Sequence, residues 1–309
     1  MTNAKRNWLI IAAAVFVVGA IIAVLGFTLG GMKSVAVDSK GIHVVTEKDM
    51  PLVEIDETYD SFSSIEMNTA VISHVNLVEG DRYSVTGKVQ ASSGKATVEV
   101  RDGTLVVKTK QDEFFGFNLF SLGNIVGNED SSLTITYPKG KKLKNVVIES
   151  DVSDLTIDGM KAKKLEVHSD VGDTTIENVD VEKLTASVNI GKLTLSGVKA
   201  EKADIDIDTG DAEIDGLRSN GLTIESNIGS VDLSGTLLGK SEIDCDMGDL
   251  KLALAQSRDE TSLKAEADVG TIIVDKSDSG KTYSIAPANP KATIEIEMNV
   301  GTARIDFVK

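Results

Sequence analysis

A glycine recurs at an interval of 19 residues through the middle of this chain, at Gly172, Gly191, Gly210, Gly229 and Gly248. The position two residues before each glycine is always Asp or Asn, namely Asp170, Asn189, Asp208, Asn227 and Asp246. Apolar residues recur seven, five, three and one positions before the glycine and two and four positions after it. A fixed period of about 20 residues with strand-like alternation inside it predicts a β-solenoid, in which each repeat forms one coil.

The alternation assigns one set of side chains in each coil to a buried face and the other set to water. The inward set predicted for the coil around Gly172 is Leu165, Val167, Ser169, Val171, Thr174 and Ile176. The same register returns in a degenerate coil over residues 65–72 and in two coils around Gly270 and Gly301. The coil around Gly301 is expected to be the last layer, so that residues 303–308 form an edge that must be covered or used.

The repeated Asx-x-Gly triplets, together called the turn ladder, have a conformational reason. Asx side chains bond to nearby backbone, and glycine adopts a left-handed conformation without steric cost, so each triplet predicts a bend between two strands. Pairs of carboxylates occur at alternate turns, for example Asp208 with Asp211. Calcium requires six to eight oxygen ligands, and each turn offers few. No cofactor is therefore predicted, and calcium stays open as a hypothesis that predicts a raised melting temperature in millimolar calcium.

The first part of the chain has a different character. Residues 8–32 carry no charge, and as a helix they would extend about 37 Å, enough to cross a hydrocarbon core of about 30 Å. Lys5 and Arg6 precede this run, which predicts a single-pass signal anchor with a cytoplasmic N-terminus and an extracytoplasmic remainder. A cleaved signal peptide is the alternative, but the run is longer than the usual apolar region and lacks an Ala-x-Ala-like site.

The net charge and the reactive side chains reduce the number of function classes that fit the chain. Because Lys5 and Arg6 are the only charged residues before residue 32, the rest of the chain has 30 basic and 48 acidic side chains and a net charge of −18. This balance argues against nucleic acid and anionic lipid head groups as partners. The three histidines are scattered, and Cys245 occupies an inward position as an apolar filler. The triplet 208–210 (Asp-Thr-Gly) is interpreted as a turn of the ladder and not as a protease motif, so no catalytic residue is predicted.

One segment interrupts the pattern. Residues 111–130 contain Phe114, Phe115, Phe117 and Phe120, which are four of the eight phenylalanines in the chain. Two interpretations stay open for these four residues. They cap the exposed core of the first coils, or they form an apolar loop that contacts a partner protein or the nearby bilayer.

Taken together, these features resemble the bacterial "putative adhesin" domain family, a former domain of unknown function. The resemblance depends on residues 8–11 (Trp-Leu-Ile-Ile), on residues 133–139 (Leu-Thr-Ile-Thr-Tyr-Pro-Lys) and on the repeated turns at 169–173 and 208–211. It implies a membrane-anchored β-solenoid with relatives in the Lia cell-envelope stress system, and it supplies no catalytic residues.

The resulting prediction is an all-β, single-domain β-solenoid of 19-residue coils behind one N-terminal transmembrane helix. Residues 1–32 form the cytoplasmic N-terminus and anchor, 33–142 an N-terminal β segment and cap, and 143–309 the regular solenoid. The predicted function is a non-catalytic interaction module of the bacterial cell envelope, whose partner is an envelope protein or a cell-wall polymer. The alternatives are a self-assembling structural scaffold and a polysaccharide-active β-helix enzyme.

Overall fold

The computed structural model describes residues 35–38, 41–44, 52–90, 96–109 and 131–308, and almost all of its regular structure is β-strand. A short 3₁₀ helix covers Arg258–Glu260. The strands in chain order are β1 (Val35–Asp38), β2 (Gly41–Val44), β3 (Leu52–Tyr59), β4 (Ser64–Gly80), β5 (Tyr83–Gln90), β6 (Thr97–Arg101), β7 (Thr104–Lys108), β8 (Ser132–Pro138), β9 (Lys142–Asp158), β10 (Lys161–Val171), β11 (Thr174–Glu177), β12 (Asp180–Ile190), β13 (Leu193–Ser196), β14 (Lys199–Thr209), β15 (Ala212–Ile228), β16 (Val231–Met247), β17 (Leu250–Leu254), β18 (Thr261–Val274), β19 (Ser277–Asp278), β20 (Thr282–Ile285) and β21 (Ala292–Phe307).

Successive coils stack as parallel layers. β10 pairs with β9 on one side and with β12 on the other, and β12 pairs in turn with β14. The register equals the sequence period, since Leu165 lies opposite Leu184 and Leu184 opposite Ala203. The prediction of an all-β, parallel solenoid-like fold is thereby confirmed.

The core lies inside the stack and follows the predicted alternation over most of each coil. Leu165, Val167 and Ile176 are fully buried, and Ser169 and Thr174 are buried beside them. Burial of a large aliphatic side chain contributes about 1.5–3 kcal/mol, so several inward residues per layer drive stacking. One member of the predicted inward set, Val171, is instead exposed, and its position is described with the candidate site below.

The order of the last layers differs from the order of the chain. β21 lies between two other layers, because it pairs in parallel with β16 and β17 on one side and with β18 on the other. The expectation that residues 303–308 form the terminal edge is therefore wrong. β18 is the outer layer, and its outer side pairs with the antiparallel strands β19 and β20. The C-terminal strand is thus an inner layer of the stack, and β18 is the last one.

At the opposite end, antiparallel strands replace the coil pattern. β4 lies on β9 in parallel register with one irregularity, as expected for the degenerate coil over residues 65–72. β7 and β8 form the next layer on β4, and β6, β5 and β3 add antiparallel pairings beyond them. β1 and β2 form a separate antiparallel pair.

The predicted membrane anchor, residues 8–32, lies outside the residues that the structure describes. Among those that it describes, no helix has both the length and the apolar character needed to cross a bilayer.

Candidate interaction face

Each coil bends sharply at its repeated glycine, and the bends stack into a column. The glycine φ angles along the column run from +130° at Gly172 to +149° at Gly248, a range that L side chains rarely adopt. A Cβ atom placed on Gly210 would lie 1.8 Å from the carbonyl oxygen of Gly191, and one on Gly229 would lie 1.8 Å from that of Gly210. The turn ladder therefore requires glycine both for its backbone conformation and for the close approach of the neighbouring layer.

The Asx residues of the turn ladder are connected by hydrogen bonds from one layer to the next. The Nδ2 atom of Asn189 donates to Oδ1 of Asp170 over 2.9 Å, and Asn227 donates in the same way to Asp208 over 2.6 Å. Beyond Gly248, Asn299 makes the equivalent bond to Asp246. An amide between two carboxylates removes the direct stacking of like charges that a column of Asp alone would impose.

The carboxylates that follow alternate glycines of the ladder accept hydrogen bonds from backbone N–H groups. Oδ1 of Asp173 accepts from the N–H of Lys192 over 2.9 Å, and Oδ1 of Asp211 accepts from the N–H of Ser230 over 2.8 Å. Within the described ranges, no group of three or more His, Cys, Asp or Glu side chains is arranged to hold a metal ion. These carboxylates stabilise the turn by accepting hydrogen bonds from backbone N–H groups of the next layer.

The residue immediately before each glycine points outward, which corrects the predicted inward set. Val171 and its apolar equivalents are exposed by fractions that range from 39% for Val171 to 62% for Val269, and Thr209 is also exposed. In this bend the Asx residue and the residue after it both lie on the outer side, so the alternation of the strand stops one residue before the glycine. Ser169, two residues earlier, is still buried.

Strand register aligns these outward residues into one row, called here the exposed apolar column. Val171 lies opposite Ile190, Ile228 opposite Met247, and Val300 opposite both Met247 and Val269. The column comprises Val171, Ile190, Thr209, Ile228, Met247, Val300 and Val269, in spatial order. At about 4.8 Å per layer, it extends about 29 Å.

A second row of outward side chains runs parallel to it, three residues earlier in each strand. This row, called the acidic column, comprises Asp206, Glu225, Asp244, Glu297 and Glu266, all in register. Partial burial, followed by the neighbouring charges of Asp208 and Asp204, raises the pKa of Asp206 above its ordinary value. Burial and the charges of Glu242 and Asp246 raise the pKa of Asp244 in the same way. The acidic column thus places carboxylates opposite one another in neighbouring strands, and Glu266 at its end forms an ion pair with Lys264.

Three other reactive side chains that the structure describes, Cys245, His168 and His74, lie on different strands. Cys245 is buried, as predicted, and burial raises the pKa of its thiol to about 12. Nε2 of His168 lies 3.1 Å from a carboxylate oxygen of Glu166 on an outward face. Nδ1 of His74 lies 3.9 Å from a carboxylate oxygen of Asp154, too far for a hydrogen bond.

Phe114, Phe115, Phe117 and Phe120 lie outside the described residues, so the two interpretations of residues 111–130 stay predictions. The described residues on either side of them form hydrogen bonds with β4. The Thr109 side chain accepts from the N–H of Ala70, and the Ser131 side chain accepts from the N–H of Ser73. Both contacts are at the corner of β4, where Val71 lies opposite Val152 in the row that continues into the exposed apolar column.

Sequence reasoning identified the turn ladder and missed the exposed apolar column. The signal available was the unbroken rule that an Asx residue stands two before each glycine. An Asx turn requires the chain to bend at that point, and a bend interrupts the two-residue alternation. The bend alone does not give the direction of the residue that follows Asx, which depends on how the neighbouring layers pair.

Comparison with known proteins gives one family match. The family model described as Toastrack DUF4097 matches residues 62–305, which include β4 to β20 and most of β21. No curated protein matches the chain.

Among solved structures, a protein described as a putative adhesin from Bacteroides fragilis NCTC 9343 is 16% identical with a TM-score of 0.46, over 82% of this chain and 96% of the other. A putative adhesin from Parabacteroides distasonis ATCC 8503 is 14% identical with a TM-score of 0.39, over 84% and 98% of the two chains. A protein described as a putative lipid binding protein from the same organism is 11% identical with a TM-score of 0.34, over 84% and 97%.

Proposed function

We propose that this chain, which belongs to the Toastrack DUF4097 family, acts as a non-catalytic interaction module of the bacterial cell envelope. The observation that carries the proposal is the exposed apolar column. Six large aliphatic or thioether side chains stand in one row on the outside of the fold, with Thr209 between Ile190 and Ile228. An exposed row of apolar side chains of this kind is a feature of sites that bind proteins or membranes.

The backbone beneath the column makes it suitable for binding. Every layer is held to the next by parallel ladder hydrogen bonds, and the glycine corners add further ones, such as the N–H of Gly210 to the carbonyl of Ile228 at 2.9 Å. A surface that is already ordered loses little conformational entropy when a partner binds. The repeated coil therefore supplies an ordered row of side chains before a partner binds.

The proposal includes a membrane tether. Residues 8–32 act as a single-pass anchor, with Lys5 and Arg6 on the cytoplasmic side and the solenoid outside the cell. On this arrangement the module works next to the membrane surface, where its partner is an envelope protein or a cell-wall polymer.

A self-assembling scaffold is the second candidate, and one described edge bears on it. β3 pairs with β5, and among the described strands none pairs with its other side. Glu54, Asp56 and Glu57 lie along this edge strand and are exposed. Charged residues on an edge strand oppose the addition of another chain, which favours the binding module over the scaffold.

The test is photo-crosslinking in intact cells from single positions of the full-length chain. A photoreactive residue at Ile228, in the middle of the exposed apolar column, is expected to trap a discrete envelope partner. The same residue at Leu52, which is also exposed but lies on β3, is the matched control and should trap none. A third position, Phe117, tests the interpretation in which residues 111–130 form an apolar loop that contacts a partner protein. Equal trapping from Ile228 and Leu52, or products formed only between copies of the chain, would contradict the proposal.

A further inference from the structure

We infer that the partner element bound by the exposed apolar column is a cationic amphipathic α-helix of a second protein. This inference depends on the proposed function and adds the chemistry of the partner. Two features of the face lead to it: the spacing of the apolar layers and the charge beside them.

The spacing of the column suits a helix laid along it. Apolar layers follow one another at about 4.8 Å, the separation of neighbouring strands. Residues at the a and d positions of a heptad-patterned helix follow one another at about 5.2 Å on average, from 3.5 residues at 1.5 Å each. Over the six steps from Val171 to Val269 the difference accumulates to less than about 3 Å. A helix of about 20 residues therefore places an apolar side chain near almost every layer.

The charge beside the column selects a basic partner. The acidic column lies three residues from the apolar one in each strand, which is about 10 Å at 3.3 Å per residue. A helix centred on the apolar column extends about 5–6 Å to either side, half of its diameter of about 10–12 Å, so a long side chain at the border of its apolar face points towards the acidic column. Lys or Arg residues along one border of its apolar face then approach Glu225, Asp244 and Glu297. Their positive charge is attracted by these carboxylates, which lie opposite one another in neighbouring strands.

Two other occupants fit the charges less well. A second copy of the chain would bring two acidic columns to the same interface, where like charges cost free energy. A bilayer with anionic head groups would face the same carboxylates and be repelled by them. A basic helix satisfies both the apolar and the acidic rows.

The experiment measures binding of a defined peptide to the full-length chain in nanodiscs of zwitterionic lipid, with empty nanodiscs as the blank. The probe is a peptide of about 21 residues in three heptads, with leucine at a and d and lysine at e and g. Lysine at both e and g also keeps the peptide from pairing with itself. Its counterpart replaces every lysine with glutamate. The chain is expected to bind the lysine peptide and not the glutamate peptide, with an affinity that falls as salt is added.

Two double variants locate the binding. Ile228→Ser with Met247→Ser removes two neighbouring members of the exposed apolar column and is expected to weaken the peptide at least tenfold. The matched control is Leu52→Ser with Val308→Ser, which removes two side chains of similar exposure away from the column and should leave affinity unchanged.

A third double variant tests the charge. Glu225→Gln with Asp244→Asn keeps the shape of the acidic column and removes two charges, and is also expected to weaken the lysine peptide about tenfold at low salt. Because all the substituted side chains point outward, far-ultraviolet circular dichroism should be the same for every variant.

The outcomes separate this inference from the proposed function. Absence of binding by the lysine peptide, with the Ile228 crosslink in cells retained, overturns the helix and leaves the interaction module in place. Equal binding by the column variant and its control overturns the site. A dimer that the column variant dissolves, or capture of the chain by anionic vesicles, identifies a different occupant and likewise overturns the inference.

Discussion

Replacing Gly210 with alanine tests whether the stacked corners hold the solenoid together. Gly210 has a φ of +146°, and its new Cβ would lie 1.8 Å from the carbonyl oxygen and 2.8 Å from the carbonyl carbon of Gly191. These atoms are backbone, so no side-chain rotation relieves the overlap. One of the two layers must move.

The magnitude follows from two contributions. An alanine in a backbone region reserved for glycine costs about 1–3 kcal/mol. Separation of the layers also weakens the corner bond from the N–H of Gly191 to the carbonyl of Thr209, which is worth about 0.5–1.5 kcal/mol. The substitution is therefore expected to lower the free energy of unfolding by about 1.5–4.5 kcal/mol.

Gly140→Ala is the matched control. Gly140 also has a positive φ, +75°, but a Cβ there meets no atom within 4 Å. Its substitution should cost only the left-handed conformation, about 1–2 kcal/mol. Urea unfolding of the full-length chain in mild detergent, followed by circular dichroism, compares the two midpoints. A loss at Gly210 no larger than that at Gly140 would refute the argument that the neighbouring layer makes glycine necessary.

Four further outcomes are expected. Tyr137→Phe should stabilise the fold by about 1 kcal/mol in urea unfolding, because the buried Tyr137 hydroxyl has no hydrogen-bond partner among the described residues. A loss of stability would show that this hydroxyl is paired. Asp206→Asn should raise the urea midpoint at pH 7, since burial and then Asp208 and Asp204 raise the folded-state pKa of Asp206 above its unfolded value, so that ionisation opposes folding. This gain should shrink as the pH falls through the raised pKa and vanish below the unfolded value, whereas a constant gain would exclude ionisation as the cause. Millimolar calcium should leave the melting temperature unchanged, because the turn-ladder carboxylates already accept hydrogen bonds; a rise would favour the calcium hypothesis. Deletion of residues 292–309 should abolish cooperative unfolding of the C-terminal layers, because β21 lies between β16 and β18. Limited proteolysis would detect this loss as cleavage within β18. Resistance to cleavage there would show that β16 and β18 pair without β21.

The turn ladder shows why much of this fold could be predicted from sequence. Gly191 and Gly210 occupy equivalent corners because each residue of one layer pairs with the residue 19 positions later. Because this offset is constant, the position of a residue in the sequence is enough to identify the residue that it pairs with. The inward residues Leu165 and Val167 follow from the same offset together with strand alternation.

The order of the final layers could not be predicted in this way. The coils around Gly270 and Gly301 carry the same pattern, and either could follow the coil around Gly248. The structure pairs Met247 with Val300 and places β18 outside, where β20 covers part of its edge. That choice depends on how the intervening hairpin packs, which repeat pattern alone does not specify.

The sequence by itself determined the period, the coil, the identity of the corner residues and most of the core, because each depends on contacts at one fixed separation along the chain. Only the tertiary structure decided that β21 lies within the stack and that Val171, Ile190 and their equivalents face outward. The direction of a side chain at a bend is set by the two layers that meet there, and alternation along a single strand does not contain that information. The face proposed for binding lies at these bends, where the packing of neighbouring coils, and not the alternation along one strand, sets the direction of the side chains.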